Sequence, residues 1–522
     1  MVKRAFFHVW FFTLILASAC GAEFQVNTRV TYNQTYADVA MDAGGTFVVV
    51  WSSYRHTLDS DSGGIIGRRF DSNYSPVSEE FLINTTTGGN QTEPSAAMDS
   101  AGNFIVVWEG PGVSEEDIFG QRFDANGQRV GCEFTVNSTT VHKQLSPKVA
   151  MNSDGVFVVA WEREEVYGDL HVKGVSCQIY DSNGTKVGGE IQADPLTHCR
   201  YPDVAINSAG NFVVVWDKEQ EPSSGCYYHR ILGRQYNKQG VCITERFDLS
   251  TIEFHTITRP AIGMNEDGYF IAAWSGHPDP NSTSEVNVNA RLYNPSCQSL
   301  TEQFIVNTTT SGIQKNPAVG INNSREFVIL WNSETEPGIS IRDIFGQRYR
   351  SVRDPVSGEF RVNTYIVDDQ KYPSAVITNS GDFLAVWQSN GQDGSDYGIF
   401  GDAGPKAGCG DFSGDGFVNF EDYCVLGSEW LQTAEPLEAD LIDDNRIDSR
   451  DLGAFAGQWL DACYQCSEVD IRSNGRIDFE DYAVLTADWL KQGPLAGDIT
   501  GDGTVDMKDF KAMMFHWLKS CQ

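Results

Sequence analysis

The chain is short of positive charge. Its 522 residues hold 38 Lys and Arg against 71 Asp and Glu, a formal charge of −33. That argues against a nucleic-acid partner, because phosphate binding needs clustered Lys and Arg. It suits a solvated extracellular surface or the binding of cations. Proline is sparse at 18 residues, and aromatic residues recur steadily along the chain, which argues against global disorder. The 12 cysteines are too few for a disulfide-dense scaffold but enough for several bridges in an exported chain. After residue 17 there is no apolar run long enough to cross a membrane. No Ser-His-Asp, His-Glu-x-x-His or phosphate-loop pattern stands out.

What is present begins with an export signal. Lys3 and Arg4 precede a mostly apolar stretch, Ala5–Ala17, and then small residues to Ala22. Residues 1–22 read as a signal peptide, with cleavage expected after Ala19 or Ala22. Cys20 opens a lipoprotein alternative, weakened by Ala17 where that signal usually has Leu or Val.

The next 380 residues are a repeat. An apolar run ending in Trp recurs at Trp51, Trp108, Trp161, Trp216, Trp274, Trp331 and Trp387, at intervals of 53 to 58 residues. Such self-similarity fixes the architecture ahead of any local motif. Each copy holds four candidate strands; in the second they are Pro94–Met98, Phe104–Trp108, Ile118–Phe123 and Glu133–Asn137. Asx-and-Gly turns such as Asp99–Asn103 join the first two, because these residues tolerate positive φ. Second strands such as Phe47–Trp51 are apolar on both faces, as expected where neighbours cover both sides of a sheet. Repeating four-stranded antiparallel units of this kind predict the blades of a seven-bladed β-propeller over residues 23–402. The last copy lacks the final strand of type E-F-x-V-N-T, and that strand stands alone at Glu23–Thr28. The N-terminus is therefore expected to complete the seventh blade and close the ring, removing a major edge; a linear array would leave that strand unexplained. The region lacks the signatures of WD40, kelch and sialidase propellers.

The tryptophans read as inter-blade core rather than sugar platforms, since each ends an apolar strand. The residues just after them, Ser52, Glu109, Glu162, Asp217, Ser275, Asn332 and Gln388, are expected to ring one face, with Arg163, Glu164, Glu165, Lys218, Glu219, His229 and His277 from longer loops. Glu109, Glu162 and Asp217 are the candidate catalytic carboxylates, for acid/base work on a glycoside; a solvated polar rim is the competing reading. Asp393, Ser395 and Asp396 form a further polar loop with cation-binding residue types. Cys199 and Cys226 are the best disulfide pair. The Asn-x-Ser/Thr sites at Asn84, Asn137 and Asn307 read as by-products of the repeat rather than glycan acceptors.

A short link, residues 403–408, leads to a different pattern over 409–522. Asp411, Ser413, Asp415, Asn419 and Asp422 place oxygen side chains at positions 1, 3, 5, 9 and 12 of a twelve-residue loop, with Gly416 at the sharp turn and the Phe417 carbonyl at position 7. That is the ligand logic of a Ca2+ loop, since a hard cation needs six or seven oxygens. The pattern returns intact at Asp498, Thr500, Asp502, Thr504, Asp506 and Asp509. It returns weaker at Asp470, Asn474, Arg476, Asp478 and Asp481, where Arg472 takes position 3, and at Asp440, Asp444, Asp448 and Asp451, where Ile442 does. Each loop leads into an apolar stripe such as Tyr423, Leu426, Trp430 and Leu431, which predicts a short amphipathic helix.

These loop-then-helix repeats with Asp at position 12 resemble dockerin modules. The resemblance implies calcium-dependent docking to a cohesin-like or cell-surface partner, often on proteins that degrade polysaccharides. Dockerins usually have two repeats and this chain has four. Positions 10 and 11, which often contact the cohesin, vary among them. The sequence thus points to a secreted calcium-binding protein, with the propeller as a recognition disc and the tail as an attachment. A tethered glycoside hydrolase or lyase, and a purely structural surface protein, are the alternatives.

Overall fold

The computed structural model describes residues 23–404, apart from 60–61, 168–169, 196, 221–227, 256–258, 278–284, 335–340, 352–353 and 357. The signal peptide, the calcium loops with their helices and Cys226 lie outside the described residues. No described helix is long and apolar enough to cross a membrane.

Seven antiparallel sheets follow one another in chain order. Numbered by their first strands, blades 1 to 7 begin at Gln34, Thr92, Lys143, Cys199, Ala261, Gln314 and Gln370. Each runs from a first strand to a fourth, and blade 6 carries one extra two-residue strand. In blade 2 the strands are Thr92–Met98, Phe104–Pro111, Glu116–Phe123 and Arg129–Thr135. The anticipated strands are therefore present and somewhat longer, chiefly toward the loops. Cys132, expected in a turn, falls inside the fourth strand of blade 2. All seven tryptophans are among the most deeply buried side chains. Each belongs to a core cluster formed with an adjacent blade, as where Trp51 packs with Leu384, Val386 and Ile399. Alternate residues of one second strand thus serve two clusters, which is why those strands are apolar on both faces.

Closure occurs as expected. Phe24–Gln25 pairs antiparallel with Tyr397–Asp402, Phe24 opposite Gly401. Chains of contacts along the outer strands extend this around the ring. Thr364 N–H donates to Glu23 at 2.6 Å, and Thr28 N–H donates to Glu80 at 2.5 Å. The same bond recurs from Thr85 to Glu133 at 2.5 Å and from Thr308 to Glu359 at 2.6 Å. The N-terminal strand thus joins the last two blades to the first.

The repeated Asn has a structural task. Asn84, Asn137, Asn307 and Asn363 are buried, and each Oδ1 accepts the N–H of an apolar third-strand residue: Ile65, Ile118, Val288 and Ile344, at 2.6–2.8 Å. Each Nδ2 then donates to a nearby side-chain oxygen, Asp117 and Asp343 in blades 2 and 6. In blade 1 the third strand has Gly64 instead, and Asp59 reaches in from the loop to accept from Asn84 at 2.9 Å. A Cβ on Gly64 would lie 2.7 Å from that carboxylate. Blade 7 repeats the exchange with Gly398, Asp393 and Asn27. The acceptor is thus an acid in blades 1, 2, 6 and 7, delivered by strand or by loop, and Asn287 in blade 5. Asp393 therefore supports the blade from the polar loop singled out above.

Candidate functional site

The first strands of all seven blades line a central cavity of about 300 Å3. Six of them carry a register shift near the same point, as between Thr35 and Asp38 or Lys371 and Ser374. At each shift a non-glycine residue takes a left-handed conformation: Tyr36, Glu93, Ser146, Tyr201, Asn316 and Tyr372, all with φ of 50–55°. Such backbone costs on the order of 1–3 kcal/mol per residue, and bulges re-aim side chains. A proline follows in every copy but the first, which has Ala37; lacking an N–H, it leaves no orphan donor where the ladder breaks. Repetition of a strained conformer at one position of six blades turns these side chains into the cavity mouth.

Their chemistry is not uniform. The rings of Tyr36 and Tyr372, from adjacent blades 1 and 7, lie 5.5 Å apart. Arg259, at the equivalent position of blade 5, lies 4.5 Å from the Tyr201 ring centre and 5.8 Å from that of Tyr372. The mouth is therefore an arc of aromatic rings and one guanidinium, completed by Glu93, Ser146 and Asn316. Burial raises the Tyr36 phenol above its usual range, with Glu93 and Tyr372 adding to it and Arg259 opposing. Deeper in the cavity, burial pushes the Asp203 carboxyl up to about 6 against the pull of Lys148.

The residues after the tryptophans sit behind this mouth and hold it. Gln388 Oε1 accepts the Tyr36 N–H at 3.0 Å, and Glu109 Oε2 accepts that of Ser146 at 2.9 Å. Glu162 Oε2 accepts the N–H of Tyr201 at 3.3 Å. These three bulges are thus pinned by the preceding blade. Glu162 is also ion-paired with Lys173, though burial still raises its pKa. Asp217 is fully buried and faces His229 Nδ1 at 2.9 Å. Glu164 bonds His171 and Lys173, and Arg163 pairs with Glu165. Of the three carboxylates singled out in the sequence, Glu109 differs. Burial, reinforced by Glu93 and opposed by the Ser146 N–H, pushes it up to about 7. Cys199 is buried, with Sγ 3.5 Å from Thr197 Oγ1. No group of three or more His, Cys, Asp or Glu among the described residues is arranged to hold a metal ion.

No family model matches the chain, and no curated protein does. Solved structures do resemble it. One is a protein of unknown function from Dyadobacter fermentans: TM-score 0.43, 11% identity, 73% of this chain and 96% of that one covered. A polysaccharide lyase, an ulvan lyase bound to a glycan of GlcA and Rha3S, follows at TM-score 0.45, 9% identity, and 73% and 94% coverage. A Hadza microbial sialidase matches at TM-score 0.39, 10% identity, and 67% and 74% coverage. Likeness at this level carries no argument about chemistry, which rests on the residues of the mouth.

Gln388, Glu109 and Glu162, which follow their tryptophans, thus lie behind the mouth, and the residues that line the cavity mouth precede the repeated prolines. The signal was in the sequence as six dipeptides, Glu93-Pro94, Ser146-Pro147, Tyr201-Pro202, Arg259-Pro260, Asn316-Pro317 and Tyr372-Pro373.

Proposed function

We propose that this chain is a secreted glycan-recognition protein, which binds sugar at the propeller mouth and is attached through its calcium-loop tail to a cohesin-like or cell-surface partner. The observation that carries the propeller half is the cavity mouth, where the strained Tyr36, Tyr201 and Tyr372 meet Arg259. Aromatic faces stack on the C–H faces of sugars, while a few polar groups at the edge set orientation. A cavity of about 300 Å3 suits one or two sugar residues. The tail rests on the four Asp-rich loops in register.

A glycan array probed with the full-length protein tests the first half. Tyr372→Ala is expected to weaken binding about tenfold and Tyr372→Phe to leave it nearly intact, because the ring and not the hydroxyl does the stacking; unchanged binding in Tyr372→Ala would sink the reading. For the tail, chelation of Ca2+ is expected to expose residues 409–522 to limited proteolysis and to leave the propeller's β circular-dichroism signal in place, since metal loops fold only with their ion. Protection of the tail in chelator would count against Asp411–Asp422 and Asp498–Asp509 as sites.

One observation favours an enzymatic alternative. Glu109, pushed up to about 7 beside Glu93, has the paired-carboxylate character of a general acid. New reducing ends or unsaturated products from an array polysaccharide, abolished in Glu109→Gln, would replace the recognition reading with a glycoside hydrolase or lyase.

A further inference from the structure

The mouth contains a cation with no anionic partner among the described residues. Arg259 makes no hydrogen bond and no ion pair with any described residue. Other guanidiniums of the ring are committed: Arg200 to Glu219, Arg230 to Glu253, and Arg342 to Glu334 and Asp369. Arg259 lies instead over aromatic rings. The Tyr201 and Tyr372 ring centres are 4.5 and 5.8 Å from the guanidinium carbon. A cation–π contact consumes no N–H donor, so the guanidinium keeps the fork that matches a carboxylate bidentately.

The setting makes this specific rather than a general attraction for anions. The chain carries −33 formal charges, so no basic field draws polyanions to the surface. Three acids also line the cavity, Glu93 at the same position in blade 2 and Asp38 and Asp203 on the first strands, with Lys148 as a second cation. Glu109 holds the Ser146 N–H behind them. An anion entering this mouth is repelled by those carboxylates and gains only where it reaches a guanidinium, which favours one orientation. The Tyr36 and Tyr372 rings, 5.5 Å apart, lie beside the guanidinium, where the neutral face of the same ligand would rest.

We infer that the propeller mouth recognises sugars bearing a carboxylate, uronate residues of an acidic polysaccharide, with Arg259 binding the carboxylate and the tyrosines binding the ring. The inference rests on the glycan-recognition reading above and narrows it to a chemical class. A free inorganic anion lacks the apolar face that the tyrosines address, and a neutral sugar leaves the Arg259 donors unused.

The test uses the full-length protein and an array of oligomers of galacturonate, glucuronate and mannuronate, each paired with its carboxyl-reduced form, which keeps the ring and loses the charge. The expected result is at least one acidic oligomer bound tenfold or more tightly than its reduced partner. Arg259→Gln is expected to bring the acid down to the affinity of the reduced form. Arg259→Lys should retain only part of the preference, because an ammonium cannot make the fork contact. Arg230→Gln, a guanidinium paired with Glu253 and absent from the cavity lining, should keep the preference. A melting temperature for each variant separates lost recognition from lost folding. Equal binding of acidic and reduced oligomers, or a preference that survives in Arg259→Gln, overturns the carboxylate inference and leaves glycan recognition standing. Failure to bind any oligomer, acidic or reduced, overturns both.

Discussion

A chain that begins at Arg29 is expected to lose most or all of the stability of its propeller. Residues 23–28 are few, but among the described residues they alone supply the outer strand of blade 7 and the bonds on both sides of it. Val26 is fully buried in the cluster shared by blades 7 and 1. Phe24 packs against Phe70 and Tyr74, with ring centres 5.7 and 6.0 Å away. Asn27 accepts the Ile399 N–H at 2.6 Å, and Glu23 and Thr28 tie the strand to blades 6 and 1. Losing one large buried side chain costs about 2–5 kcal/mol, and each buried donor left without a partner costs about 1–3 kcal/mol more. Together these reach the order of the whole stability of an ordinary domain, about 5–15 kcal/mol. The truncated chain should melt more than about 10 °C below the chain that begins at Glu23, or aggregate through the exposed edge of Tyr397–Asp402. A peptide of residues 23–29 supplied in excess should restore part of the loss by adding the missing strand, and the same peptide with Asn27→Ala should restore less. A truncated chain with an unchanged melting curve would mean that the ring does not depend on this closure.

That closure was legible because it shows as a count. Six copies of a strand follow their tryptophans, a seventh is missing, and an unpaired one stands at the start. The core was legible for a similar reason, since seven tryptophans ending seven apolar strands leave little else for them to do. The mouth was not legible in the same way. Glu93, Arg259 and Tyr372 share no residue type, and a search for repeated chemistry passes over positions that repeat only in backbone conformation. They share the position before a proline, and Glu93 and Tyr372 take a left-handed φ there, a conformation that local preferences argue against and that tertiary contacts impose. Gln388, Glu109 and Glu162 supply those contacts by pinning the bulges of the next blade. The three candidate carboxylates were thus found by the right spacing, but two of them, Glu162 and Asp217, are occupied by Lys173 and His229. The pairing of loop Asp with strand Gly in blades 1 and 7 was equally hidden, because it joins residues that no fixed offset connects.

Asn363→Ala is the second change with a large expected cost, and its cost should depend on pH. The wild-type side chain accepts from Ile344 N–H at 2.6 Å and donates to Asp343 at 2.7 Å and to the Tyr365 carbonyl at 2.9 Å. Asn363 and Asp343 are both buried. Alanine leaves the Ile344 donor without its acceptor and takes a donor from a buried carboxylate, a combined loss of about 3–5 kcal/mol. The pH dependence comes from Asp343. Burial raises its pKa, and the bond from Asn363 opposes that rise, with help from Arg361. Without Asn363 the folded-state pKa moves further above the unfolded one. A carboxyl whose folded pKa is raised keeps its proton in the folded state after the unfolded chain has released it, so stability falls as pH rises from the unfolded pKa through the folded one. Asn363→Ala should therefore be destabilised least near pH 4 and increasingly above it, until Asp343 is ionised in both states. Asn363→Asp should show the same trend more steeply, with two carboxylates in one buried site at neutral pH. Denaturant midpoints for both variants and wild type at several pH values between 4 and 8 measure this. A cost for Asn363→Ala that stays constant across that range would show that Asn363 anchors the Ile344 backbone without holding the charge on Asp343.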